Sequence, residues 1–182
     1  MAETMDAYAS LVEQGKVRAI GASNFSVDRI DEALRLSGQM GCPKYQSLQP
    51  LYNLYDRSDY EAKLERFCLV NRLGVIPYFS LARGFLTGKY RREQDLSKSV
   101  RGQGVKKYLN ERGFRILHAL DQAAGEYDST PASVALAWLI ARPGVTAPIA
   151  SATNTEQLTA LIEGTKLELA PSSIDLLNAA SA

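Results

Sequence analysis

Scarce side chains narrow what this chain can do before any motif is read. His118 is the only histidine in 182 residues, so a site built from two or more imidazoles is excluded. Cys42 and Cys68 are the only cysteines. They form no CxxC pair, and two thiols make no disulfide framework. No apolar run is long enough to span a bilayer, and the N-terminus MAETMDAYAS lacks a basic region followed by an apolar one. The expected location is the cytoplasm, with both thiols reduced. Charge of one sign is lacking as well. A formal net charge of +1 argues against a nucleic-acid or anionic-membrane surface spread over the whole chain. The basic residues at Lys89 to Arg92 and at Lys106-Lys107 are local. No interior linker interrupts the chain, so residues 1–182 read as a single domain. Its 46% of hydrophobic residues suffice for one real core.

What is present is a repeated alternation of strand and helix. Met5, Tyr8, Leu11 and Val12 put an apolar stripe on a helix over Glu3 to Gln14, which Gly15 stops. KVRAIGA, Lys16 to Ala22, reads as a buried strand. Ser26 is placed to cap a helix carrying Val27, Ile30, Ala33 and Leu34. A second strand runs about Tyr45 to Leu51, a helix about Asp59 to Asn71, and a third strand begins at Val75. Arg91 to Gly104 is charged and irregular, a length that marks either a functional lid or disorder. A helical pattern returns over Lys106 to Tyr127. Thr130-Pro131 starts a further helix to Ala141, because proline at the first helical position loses no hydrogen bond. A fourth strand, Val145 to Ala150, precedes a helix from about Thr155 and a last one after Pro171. This order predicts an α/β fold with a parallel sheet covered by helices.

Ligands of such sheets collect beyond the carboxyl ends of the strands. Four turns fall there: Ser23-Asn24, Gln49 to Asn53, Tyr78 to Lys89, and Ser151 to Gln157. All carry polar, small or aromatic residues. The stretch VIPYFSLARGFLTGKY, Val75 to Tyr90, carries the most chemistry. It delivers Tyr78 into a small-residue loop with Arg83 and Lys89, which suits a flat ring followed by phosphates. A buried strand with a solvated turn accounts for the same residues taken alone. Gly84 to Lys89 lacks the GxxxxGK[ST] spacing and has Tyr90 where the hydroxyl should be, so it is not a Walker-type loop.

Taken together, GKVRAIGASNF, SLQPLYNLYDR, IPYFSLARGFLTGKY and TAPIASATNTEQL resemble the aldo-keto reductase family, in the same order, from Gly15 to the end of the chain. The resemblance implies a (β/α)8 TIM barrel that binds NADP(H) without a Rossmann domain, of which this chain supplies about four strands, a half barrel. It also implies roles. Ser23, Asn24 and Gln49 match the residues that hold the nicotinamide carboxamide. Tyr78 matches the aromatic that stacks on the nicotinamide ring. Phe79, Ser80, Leu81, Ala82 and Arg83 match the pyrophosphate loop, and Lys89 its cation. Arg101 resembles the arginine that closes over the cofactor. Ser151, Thr153 and Gln157 fall where the adenosine 2′-phosphate and adenine are held, at a helix N-terminus. Ser151 stands where a glycine is usual, and Ala160 and Leu161 where an acid and an asparagine are common.

The family's catalytic tetrad, an aspartate, a tyrosine, a lysine and a histidine, comes from the first half of the barrel. Nothing in this sequence matches it. His118 follows the long loop on a helix, and Tyr8, Tyr45 and Tyr52 lack partners in any family context. The expected function is therefore that of an NADP(H)-dependent reductase of small-molecule carbonyls, with this chain carrying the cofactor half and no catalytic residues. The alternative is a non-catalytic NADP(H)-binding or regulatory half barrel, self-pairing through its open edges. A half barrel is also expected to expose one wall of apolar interior.

Overall fold

Three short parallel strands, β1 (Ile20–Ser23), β2 (Tyr45–Gln49) and β3 (Gly74–Val75), lie side by side in the order β1-β2-β3. They belong to a computed structural model that describes residues 1–99 and 102–182. Alternation decides which face each strand buries. Ile20 and Ala22 are buried, whereas Gly21 and Ser23 are exposed. In β2 the buried residues are Tyr45 and Leu48, an odd spacing that simple alternation forbids. A register irregularity resolves it: Ile20 faces Tyr45, but Gly21 faces Ser47, so β2 takes two steps against one of β1. Ala22, Leu48 and Val75 then line up across the sheet on the covered face.

The opposite face carries Gly21, Ser47 and Gly74 in one row. A Cβ on Gly74 would meet the hydroxyl of Thr146 at 2.8 Å. This corrects the expectation of an exposed apolar wall, because the open face of the sheet is small and polar. Most large exposed apolar side chains sit on helices, Leu69, Val70, Leu158 and Ile162 among them, while Ile149 of the fourth segment is exposed as well.

The fourth segment also departs from expectation. Val145 meets Val75 only as an isolated bridge, and Tyr78 meets Leu51 in the same way. Backbone bonds still tie the segments, with Thr146 N donating to Val75 O (2.8 Å) and Ile149 N to Pro77 O (2.9 Å). Pro77 and Pro148 supply no N–H, so no continuous ladder forms between them.

The helices follow the sequence signals closely. They are α1 (Ala2–Glu13), α2 (Val27–Met40), α3 (Glu65–Asn71), α4 (Glu111–Glu126), α5 (Pro131–Ile140), α6 (Thr155–Gly164) and α7 (Pro171–Ser181). Ser26 caps α2 by accepting from Arg29 N, and Gly41 closes it in the left-handed region at φ 67°. Thr130 caps α5, with Pro131 in its first turn. A π-helical turn, Tyr60–Leu64, runs into α3. The helix expected from Lys106 starts at Glu111, where Asn110 caps it by accepting from Gly113 N. Ahead of it, Glu93–Lys98 and Gly102–Tyr108 are 3₁₀ turns. The described residues of the stretch read from the sequence as either a lid or disorder are thus mostly in 3₁₀ turns, and two ties hold them. Arg91 makes a two-pronged ion pair with Asp121, both contacts 2.7 Å. The Asp95 carboxylate accepts from the Arg91 and Arg92 amides.

α5 is buried from Ser133 to Leu139 and forms the middle of the core. Trp138, fully enclosed, donates its indole N–H to Asn178 Oδ1 on α7 (3.1 Å). Beside it, Glu61 accepts from Tyr52 OH (2.7 Å) and Arg57 Nε (2.9 Å), and Arg142 Nε donates to Tyr52 OH (3.0 Å). Arg57 also reaches Ser181 Oγ (2.6 Å), which ties the C-terminal helix to the turn after β2. Burial pushes the Glu61 carboxyl up, but hydrogen bonds from Arg57 and Tyr52 and the two guanidinium charges outweigh it and hold the group below its ordinary value.

Candidate functional site

A cleft of about 750 Å³ opens where Tyr78, the loop after it, and the turn leading into α6 converge. Segments far apart in sequence build it. Ser80 is the pin: its buried hydroxyl lies 2.8 Å from Ile149 O and 3.2 Å from Pro77 O, locking the loop after β3 to the segment before α6. That hydroxyl is committed to carbonyls, so what Ser80 offers the cleft is backbone.

The loop itself is wound in an uncommon way. Phe79 (φ 54°), Ala82 (φ 47°), Arg83 (φ 58°) and Gly84 (φ 94°) all lie in the left-handed region. Three of these residues are not glycine, and each costs about 1–2 kcal/mol there. The surroundings over-determine the shape. Ala82 N donates to Phe79 O (2.7 Å), Gly84 N to Leu81 O (2.8 Å), and Thr87 Oγ1 to Gly84 O (2.8 Å). The Arg83 guanidinium lies 4.2 Å from the centre of the Phe79 ring. Ala82 is buried behind the loop rather than in the cleft wall. Lys89 reaches the wall with its ammonium 5.1 Å from the Tyr90 ring centre.

One contributor was not legible as a site residue. Asn53 is fully buried. Its Oδ1 accepts from Tyr55 N (2.9 Å) and Asp56 N (2.8 Å), and its Nδ2 donates to Asp56 Oδ2 (3.0 Å) and to Phe79 O (3.1 Å). The last bond joins the turn after β2 to the strained loop. An asparagine in a polar turn gives no such signal, since its importance arises from the distant carbonyl it meets.

Tyr78 joins the cleft to the tips of the first two strands. Its ring lines the cleft, and its hydroxyl donates to Asn24 Oδ1 (2.9 Å). Asn24, in the left-handed region at φ 57°, donates from Nδ2 to Ser23 Oγ (3.2 Å). Ser23 Oγ in turn donates to Gln49 O (3.1 Å), and Asn24 N to the same carbonyl (3.3 Å). Ser23, Asn24 and Gln49 therefore sit together beside Tyr78, outside the cleft wall but hydrogen-bonded to it through the phenol.

At the far end Ser151, Thr153, Glu156, Gln157, Ala160 and Leu161 line the wall. Asn154 caps α6 by accepting from Gln157 N (2.9 Å). The Gln157 side chain folds back, its Oε1 accepting from Thr153 N (3.0 Å) and Thr153 Oγ1 (3.2 Å). Of the site residues expected from the sequence, Tyr78, Phe79, Ser80, Leu81, Arg83, Lys89, Ser151, Thr153 and Gln157 line this one cleft. Arg101 lies outside the described residues. Among the described residues no cluster of His, Cys, Asp or Glu is arranged to hold a metal ion, and no helix is long and apolar enough to cross a membrane. The arrangement offers an aromatic face and an amide at one end, two cations midway, and hydroxyls at the start of a helix at the other.

Comparison with known proteins agrees on one lineage. The profile of the Aldo/keto reductase family matches residues 1–182. Aldo-keto reductase YhdN of Bacillus subtilis is 30% identical over 165 residues, covering 88% of this chain and 48% of its own length. L-glyceraldehyde 3-phosphate reductase of Escherichia coli K12 is 32% identical over 164 residues, covering 87% and 47%. The solved complex of the thermostable aldo-keto reductase Tm1743 with the inhibitor epalrestat superposes with a TM-score of 0.74 at 26% identity. It covers 98% of this chain and 54% of that one. The chain spans about half the length of the curated relatives it matches. An open parallel sheet with covering helices, laid over half of such a protein, is half of the (β/α)8 architecture, and the chain belongs to the aldo/keto reductase family.

Proposed function

We propose that this chain is the cofactor-holding half of a carbonyl-reducing oxidoreductase and binds a nicotinamide dinucleotide along the cleft from Tyr78 to Gln157. The family resemblance points to NADP(H). The observation that carries the reading is the convergence of nine resemblance-derived residues on one cleft with the right order of chemistry. Tyr78 would stack on the nicotinamide, with Ser23, Asn24 and Gln49 at its carboxamide. The backbone of Phe79 to Arg83, with Arg83 and Lys89, would hold the pyrophosphate. Ser151, Thr153 and Gln157 would meet the adenosine, and Arg101 is assigned by resemblance to the same cofactor.

Reduction of a carbonyl needs an acid for the oxygen as hydride reaches carbon. No residue here matches the family's tetrad, so turnover of a small-molecule carbonyl is proposed only together with the barrel's first half. The chain alone should bind without turning over. Titrating it with NADPH tests this through enhanced nucleotide fluorescence and a raised melting temperature, alongside an assay with aldehyde substrates. A folded chain showing neither effect at high micromolar NADPH would remove the proposal, and aldehyde reduction by the chain alone would overturn its non-catalytic half.

A further inference from the structure

Arg83 lines the cleft, and two neighbours border its side chain. One is the Phe79 ring, whose centre lies 4.2 Å from the guanidinium. The other is Gly104, in the 3₁₀ turn Gly102–Tyr108: a Cβ built there would stand 3.1 Å from Arg83 Cδ and 3.3 Å from Nη1. Glycine is what lets the two segments approach so closely. Both neighbours are tied to one carboxylate. Asp56 Oδ2 accepts from Asn53 Nδ2 (3.0 Å), and the same Nδ2 donates to Phe79 O (3.1 Å). Asp56 Oδ2 also accepts from Tyr108 OH (2.7 Å), and Oδ1 from Lys107 Nζ (3.2 Å), at the end of the turn that carries Gly104. Tyr108 is fully enclosed and its ring stacks on Phe85 with centres 5.3 Å apart, so this end of the turn cannot shift without breaking packing. Asp56 itself lies outside the cleft wall.

We infer that Asp56 is a positioning residue for Arg83: it joins the turn after β2, the wound loop and the turn holding Gly104, and so sets a phosphate-binding cation in place without touching the ligand. This rests on the proposed placement of a dinucleotide pyrophosphate at Arg83. A guanidinium on a loose side chain loses rotamer freedom when it meets a phosphate, whereas one already ordered keeps that part of the gain. Its hydrogen bonds to a phosphate oxygen also weaken steeply when the donor is turned off line. Removing the carboxylate loosens both neighbours at once.

NADPH titrations of full-chain variants, arranged as double-mutant cycles, test this. Arg83→Ala should weaken binding about tenfold, the loss of one charge-assisted hydrogen bond. Asp56→Ala should weaken it roughly three- to tenfold on its own but add nothing in the Arg83→Ala chain, because the cation it places is gone. Asp56→Asn keeps an oxygen for Asn53 and Tyr108 and should restore most of the affinity. Gly104→Ala leaves Asp56 alone and crowds Arg83 directly. Its smaller loss should likewise vanish in the Arg83→Ala chain, and this second cycle decides the matter should Asp56→Ala not fold. Losses that persist with Arg83 gone, no rescue by asparagine, or wild-type affinity in Asp56→Ala would overturn the inference while leaving dinucleotide binding intact. No binding of NADPH by the wild type would remove the underlying proposal, and this inference with it.

Discussion

Replacing Asn53 by alanine probes how the loop after Tyr78 keeps its shape. The side chain is fully buried and makes four hydrogen bonds, two as acceptor from backbone amides and two as donor. Each contributes about 0.5–1.5 kcal/mol net, and a buried group left without a partner costs about 1–3 kcal/mol. The Asp56 carboxylate keeps Tyr108 OH (2.7 Å) and Lys107 Nζ (3.2 Å), so it is not orphaned. The Tyr55 and Asp56 amides and the Phe79 carbonyl each lose a partner. The expected loss is about 3 kcal/mol, within a range of roughly 2–4. For a chain of this size that is a fall of about 6–12 °C in melting temperature. Function should suffer in step, because Phe79 at φ 54° is held in place partly through that carbonyl. Urea unfolding and NADPH titration of the variant measure both effects. A loss under about 1 kcal/mol, with nucleotide affinity unchanged, would refute the idea that Asn53 positions the loop.

Other perturbations follow from the same contacts. Tyr78→Ala should weaken NADPH binding by about 1–3 kcal/mol, the scale of aromatic stacking on a base; unchanged affinity in the same titration would mean that the ring packs elsewhere. Glu61 is held below its ordinary carboxyl value, so its contribution is complete above the unfolded value near about 4.3 and is lost as pH falls through the lower folded one. Urea midpoints should therefore drop below about pH 4 in the wild type, and Glu61→Gln should flatten that limb. Burial pushes the Cys68 thiol up to about 11, whereas Cys42 is only partly buried. A disulfide reagent should consume one thiol quickly in the native chain and the second only after unfolding.

Local signals carried most of the fold. Ser26, Thr130 with Pro131, and Gly41 act through short-range chemistry, and the structure uses Ser26 and Thr130 as caps and ends α2 at Gly41. Strand lengths were harder to read, since β-structure depends on partners. Pro77 and Pro148 interrupt a pairing that the apolar runs around them suggest, leaving Val75 and Val145 joined by one bridge. The irregular stretch after Arg91 has no hydrophobic period, yet it folds into 3₁₀ turns because Asp121 and Asp95 hold it from outside and within. Motif residues were legible as a group, whereas their individual tasks were not. Ser80 turns its hydroxyl to two carbonyls, and Ala82 is buried as part of the winding. Left-handed φ at Phe79, Ala82 and Arg83 has no sequence signature, as glycine is the usual sign of it.

Hydrogen–deuterium exchange on the full chain, with and without saturating NADPH, tests most directly whether one dinucleotide occupies the cleft from end to end. Slowed exchange at both residues 78–84 and residues 151–157 is the predicted result, with the surface of α4 unaffected. Slowing at only one of the two segments, or at neither while the nucleotide is bound, would contradict a single ligand lying between them.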